Sequence, residues 1–254
     1  MGISGAAVAT GLGYSVTAVA GLFVFSRKKS LLHFTKPVCC FKVLAGAAAN
    51  GCSEMATALV TGIITMMFNW TMLHYVGEDG VAAVTIIMYV LMFASSLYTG
   101  YSYGVAPMLS YYYGEQNHQK LKKLVATSLK VIACICLITV AASFMLTRPL
   151  VSVFARPDNP VYELAVTGNR ICTVALFFIG FNIFASGMFT ALSNGIVSAV
   201  LAFSRSFVFM LITMIVLPLL LGVNGIWLAT PAAELMALML SAFMFLKYKK
   251  RYGY

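Results

Sequence analysis

About seven long, almost uninterrupted apolar runs divide this chain, at residues 5–26, 43–75, 81–110, 123–146, 164–190, 196–221 and 225–246. Each can cross a hydrocarbon core, which takes about 20 residues of helix. None alternates in the two-residue rhythm of a membrane strand, and runs of this length exclude a barrel. Helices are then the structure that satisfies every backbone polar group in lipid. Hydrophobic residues make up 61% of the 254 and charged residues 9%, too few polar groups to coat a water-soluble surface. The reading is all-α, a polytopic membrane bundle of about seven transmembrane helices, with the lipid bilayer as its first partner.

A net charge of +10 could suggest nucleic acid, but the charges lie in short loops, where they act as topology signals, so no nucleic-acid partner is expected. Arg27, Lys28, Lys29, Lys36 and Lys42 fall in the first loop, Lys120, Lys122, Lys123 and Lys130 around the third, and Lys247, Lys249, Lys250 and Arg251 at the end. These segments are expected in the cytoplasm. The alternate loops carry Glu78 and Asp79, then Arg148, Arg156, Asp158 and Glu163, then the uncharged stretch 222–225, and face outward. That arrangement predicts a multi-pass protein of the cell (plasma) membrane with Met1 outside and a cytoplasmic C-terminus. Met1 runs straight into an apolar helix without a basic leader, a start natural for an internal helix of a longer protein.

Residues 2–10, GISGAAVAT, return as GVNGIWLAT at 222–230, and both copies open an apolar stretch that ends in a basic cluster. Repeats of one orientation are a way polytopic transporters are assembled. The chain thus reads as the last helix of one repeat followed by a whole second copy.

Chemistry-bearing residues outside the spans are sparse. Cys39, Cys40, Cys52, Cys134, Cys136 and Cys172 fall in the cytoplasmic loop or inside spans, so buried free thiols are expected rather than disulfides. His33, His74 and His118 stand singly, without the spacing or neighbours a metal site needs. No Ser/His/Asp set, phosphate-cradling loop or catalytic carboxylate pair can be assembled, so neither an enzyme nor an organic cofactor is expected.

The informative residues are ionisable groups in lipid. Glu54 lies about a dozen residues into the second span, roughly 15 Å by helical rise and near the bilayer centre. A carboxylate there costs a few kcal/mol and should face protein or water, binding a proton, a cation or a basic group. Asn50, Thr57, Thr61, Thr65 and Met72 project within about 60° of it. Such a stripe either lines a cation path or glues helices through hydroxyls and amides.

In the third span Thr85, Tyr89, Met92, Ser96, Thr99 and Tyr103 share a face, with Gly100, Gly104 and Pro107 lower down allowing close packing or a bend. The two faces could line one cavity for an amphipathic cation, held by aromatic rings, thioethers and hydroxyls, or could be ordinary packing. Glu234 is the second intramembrane acid, after Pro231. Folding the last two spans about 222–225 sets it opposite roughly residue 213, about 12 Å of helix from Arg205, so no direct pair is expected and Arg205 should snorkel. Asn182 and Ser186 make a smaller patch on the fifth span, where Gly180 and Gly187 permit close approach.

The segments GCSEM at 51–55, GEDGVAA at 77–83, GVAPMLS at 104–110 with YGEQN at 113–117, and GVNGIW at 222–227 together resemble the multidrug and toxic compound extrusion (MATE) antiporters over nearly the whole chain. The resemblance implies two six-helix lobes related by an axis along the membrane normal. It also implies alternating access between them and export of cationic drugs against H⁺ or Na⁺. Residues 1–26 would be the final helix of the amino-terminal lobe, 27–42 a basic cytoplasmic inter-lobe linker, 43–246 the six-helix carboxy-terminal lobe and 247–254 a basic cytoplasmic tail.

The rest of an amino-terminal lobe becomes a required partner, and a cationic small molecule the substrate. Glu54 matches the acid that members place on the first helix of the second lobe for cation coupling. Other members add an aspartate on the helix matching the fifth span, where this sequence has Ile179, Asn182 and Ser186; the departure questions Na⁺ coordination more than proton coupling, since one desolvated carboxylate can exchange a proton by itself. A lipid-linked oligosaccharide flippase of the same superfamily would instead need several basic groups in its cavity. A seven-helix receptor with an outside N-terminus fits the span count, but the repeat, the lack of an outer cysteine pair and the absence of a mid-span lysine for a retinal-type chromophore disfavour it.

Overall fold

The computed structural model describes residues 2–26 and 41–253, apart from the side chains of 42–58 and a few others. The expectations for Asn50, Glu54 and Thr57, and most of the 27–42 linker, therefore lie outside the described residues. Among the described residues all regular structure is helical: α1 (Gly2–Ser26), α2 (Phe41–Tyr75), α3 (Glu78–Gly114), α4 (His118–Met145), α5 (Thr147–Ser152), α6 (Pro160–Ala191), α7 (Gly195–Phe203), a π-helical segment (Ser204–Phe209), α8 (Met210–Leu221) and α9 (Val223–Tyr252). Among them six runs are long and apolar enough to cross a membrane, with Gly195–Leu221 counting as one crossing. At 35 residues α2 has the length as well. Residues 1–53 and 54–254 form two compact units, and the account below concerns the second.

The helices outrun the apolar spans because hydropathy marks the bilayer, whereas capping marks the helix end. Asn117 accepts from the Lys120 amide at 3.1 Å and starts α4 ahead of its lysines. Asn159 accepts from the Val161 amide at 2.9 Å, with Pro160 in the first turn of α6. Each of two turns pairs a residue of positive φ with such an asparagine, Gln116 before Asn117 and Ser193 before Asn194. The expected basic tail is mostly helix: α9 continues to Tyr252, which is buried, its carbonyl 3.0 Å from His118 Nδ1 and its hydroxyl accepting from Asn194 Nδ2 at 2.9 Å.

At the centre of the second unit α6 packs against α3, α4, α5, α7 and α9. Gly168 makes room for this: a Cβ there would lie 2.9 Å from the Trp227 ring of α9 and 2.6 Å from Ile87 of α3. Close approach also holds at Gly180, where a Cβ would collide with Cys136 Sγ, while Gly187 makes only ordinary contact with Ser102. Gly100 and Gly104 are exposed, and among the described residues nothing packs closely against either. Cys136 and Cys172 are buried free thiols as expected, whereas Cys134 is exposed.

Prolines inside helices release carbonyls that other groups then use. Pro231 has no amide to offer the Trp227 carbonyl, which accepts from Cys172 Sγ at 3.3 Å instead. The α8–α9 turn is closed by Gly222 at φ 58°, and Gly225 sits against the Leu217 backbone where any Cβ would clash.

Candidate functional site

Two places hold the polar groups singled out from the sequence. The first is a buried charged network joining α6, the π-helical segment and α9. Glu234 is 6% exposed and both its oxygens accept from Arg205 Nε, at 2.8 and 3.0 Å. Asn182, also buried, donates from Nδ2 to Glu234 Oε2 at 2.8 Å and to the Glu234 carbonyl at 2.9 Å. Its Oδ1 accepts from Ser241 Oγ at 3.0 Å, so donors and acceptor are all engaged and the amide is fixed. A buried carboxylate persists when paired and hydrogen-bonded, and here it is both.

This arrangement overturns the expectation that Arg205 and Glu234 stay apart. The earlier arithmetic assumed two straight α-helices, but residues 204–209 are π-helical, which changes the rise and the facing of Arg205. Its long stem then carries the guanidinium to the acid instead of toward the membrane surface. Asn182 and Ser186 also part company. Ser186 turns to α7, where its hydroxyl lies 3.0 Å from Ser198 Oγ, itself 2.6 Å from Thr190 Oγ1.

A second buried network escaped the sequence reading. Ser143 of α4 meets Thr173 of α6 at 2.8 Å, and Asn169 donates to Thr147 Oγ1 at 3.3 Å. The pairs 143/147 and 169/173 are each four apart, so the signal was present as two polar stripes one turn long.

The second place is the outward face of α3. Thr85, Tyr89, Met92, Ser96 and Tyr103 are exposed together, as their spacing predicts. Thr65, Thr85 and Ser96 each donate to the carbonyl four residues back, at 2.9 Å, so these hydroxyls join no helices. Among the described residues the faces of α2 and α3 line different cavities. Thr61 and Thr65 line a groove of about 890 Å³ with Trp70 of α2 and Glu78 of α3, whereas Tyr89 and Met92 line a cavity of about 690 Å³ against α4, α5 and α6. The α2 stripe is not uniformly open: Met72 is fully buried while Thr61 and Thr65 are exposed.

Apolar helices of spanning length and an ion pair held between two of them mark a multi-pass helical membrane protein. The chain belongs to the MatE family, whose profile matches residues 54–216. It is 23% identical to the multidrug export protein MepA of Staphylococcus haemolyticus (strain JCSC1435) over 256 residues, covering 98% of this chain and 55% of that protein. Its fold matches the inward-facing conformation of a multidrug resistance MATE family transporter of the MOP superfamily with TM-score 0.84 at 22% identity, covering 98% of this chain and 59% of that one. The outward-facing conformation of such a transporter matches with TM-score 0.77 at 21% identity, over 98% and 58%. The chain thus spans a little over half the length of the relatives it matches.

Proposed function

We propose that this chain supplies the carboxy-terminal half, with one preceding helix, of a secondary antiporter that exports cationic amphiphiles in exchange for H⁺ or Na⁺. Membership of the MatE family carries the reading, and its relative is a multidrug export protein. In this reading 1–26 closes the amino-terminal lobe, 27–42 links the lobes in the cytoplasm, 43–246 is the second lobe, and the protein sits in the plasma membrane with its C-terminus inside. Access alternates between the two lobes, which requires the rest of the amino-terminal one.

Glu54 is the coupling carboxylate, on a helix face shared with Asn50, Thr57, Thr61 and Thr65. Glu234 already has Arg205 as its cation and Asn182 as its donor, which suits it to holding helices rather than exchanging ions. The same pairing weighs against the flippase alternative, since Arg205 is not a free basic group. A chimera joining residues 43–254 to the amino-terminal half of the Staphylococcus haemolyticus exporter tests the reading in proteoliposomes. Gradient-driven movement of a cationic dye is the expected result; a folded chimera that moves no dye under either a proton or a sodium gradient overturns it.

A further inference from the structure

Export leaves unexplained why two cavities lie end to end along one face of α3. Thr85, Tyr89, Phe93 and Leu97 follow each other at four-residue steps, about 18 Å by helical rise, from near the start of the helix toward the middle of the membrane. Thr85 lines an outer cavity of about 800 Å³ together with Phe154, Arg156 and Asp158 of the α5–α6 link. Tyr89, Phe93 and Leu97 line the deeper cavity of about 690 Å³, opposite Ile138 and Ala142 of α4, with Leu176 of α6 behind.

Phe154 belongs to both cavities, and its ring stacks on Tyr89 with centroids 6.1 Å apart and planes 4° from parallel. The stacked pair marks the boundary between a polar mouth and an apolar slot. Arg156 and Asp158 are exposed, and among the described residues neither forms an ion pair. Among the described residues the Tyr89 hydroxyl has no hydrogen-bond partner either, and the side chain is 52% exposed.

From the helix end inward the order is therefore a free cation beside a free anion, then a free hydroxyl, then a hydrocarbon-lined slot. We propose that the two cavities together bind one phospholipid with a zwitterionic, primary-amine head group. Arg156 takes the phosphate, Asp158 the ammonium, the Tyr89 hydroxyl an ester carbonyl, and the slot an acyl chain. An anionic lipid would satisfy Arg156 but set its charge against Asp158. A cationic amphiphile would satisfy Asp158 and leave Arg156 and Tyr89 without partners. The site needs only a membrane-inserted chain, so it stands or falls independently of export.

The test uses the purified chain carrying Phe93→Trp as a reporter in the slot, reconstituted in phosphatidylcholine vesicles doped with lipids whose acyl chains carry bromine, a contact quencher. The chain without the reporter gives the background from Trp70 and the buried Trp227, whose emission also shows that each variant is folded. Brominated phosphatidylethanolamine should quench the reporter at about one tenth the mole fraction needed with brominated phosphatidylglycerol, a difference of about 1.4 kcal/mol. Asp158→Asn should erase that preference, Arg156→Gln should weaken quenching by both lipids, Tyr89→Phe should weaken it less, and Ala142→Phe should occlude the slot and abolish specific quenching.

Equal quenching by brominated ethanolamine, glycerol and choline lipids would reduce the site to ordinary boundary lipid and overturn the proposal. Survival of the preference in both Asp158→Asn and Arg156→Gln would do the same. Displacement of the brominated lipid by dodecyltrimethylammonium as readily as by unlabelled phosphatidylethanolamine would reassign the slot to cationic amphiphiles.

Discussion

The two sides of α6 solve opposite problems. Toward α9 and the π-helical segment, a buried acid, amide and hydroxyl and a partly buried arginine satisfy one another. Toward α3 and α4, four side chains at the cavities are left open: Tyr89 and Met92 are exposed, and Arg156 and Asp158 form no ion pair among the described residues. Where charge is buried, every partner is supplied by the chain; where it is not, partners must come from outside. The contrast separates residues that hold this half together from residues available to a ligand.

The largest effect should follow from breaking the buried side. Glu234→Leu leaves Arg205 without its counter-charge and the Asn182 amide with only the backbone carbonyl of its two acceptors, and should cost about 3–5 kcal/mol of stability. Thermal unfolding in detergent measures it. Adding Arg205→Met should recover most of the loss, because exchanging a whole buried pair for apolar groups is often neutral or better. Failure of the second change to restore stability would show that the pair is not the source of the cost.

One substitution made on both sides sharpens the comparison. Ala229→Phe, at a fully buried position of α9, should destabilise by about 1–3 kcal/mol through overpacking. Ala142→Phe, on the wall of the slot, should change stability by no more than about 0.5 kcal/mol, since the new ring enters open space. Equal costs at the two positions would mean that the slot is packed in the folded protein and the contrast false.

The fold was legible in the sequence because bilayer thickness and hydropathy act on whole spans. Six of the seven apolar runs match helices long and apolar enough to cross among the described residues, including 196–221, although that run is built as α7, a π segment and α8. Helix ends were less legible, since α4 begins at His118 among lysines under the control of Asn117. The exposed face of α3 followed from spacing alone, because it needs only one regular helix. The Arg205–Glu234 pair did not follow. It depends on a local change of hydrogen-bond register at 204–209, and nothing in the residue pattern of that apolar stretch announces one. The separate partners of Asn182 and Ser186 were illegible for a related reason: which neighbour each side chain meets is decided by helix packing, not by its own helix.

The central proposal is that ion coupling belongs to Glu54, whereas Glu234 serves as a structural anion already matched by Arg205. Gradient-driven dye efflux by the chimera, normalised to the amount of folded protein, tests it most directly when Glu54→Gln is set beside the double variant Arg205→Met/Glu234→Leu. The glutamine keeps size and hydrogen bonding while removing the charge. The account predicts that Glu54→Gln abolishes the response to the ion gradient while the double variant retains it. A wild-type response in Glu54→Gln, or its loss in a fully folded double variant, would contradict the assignment.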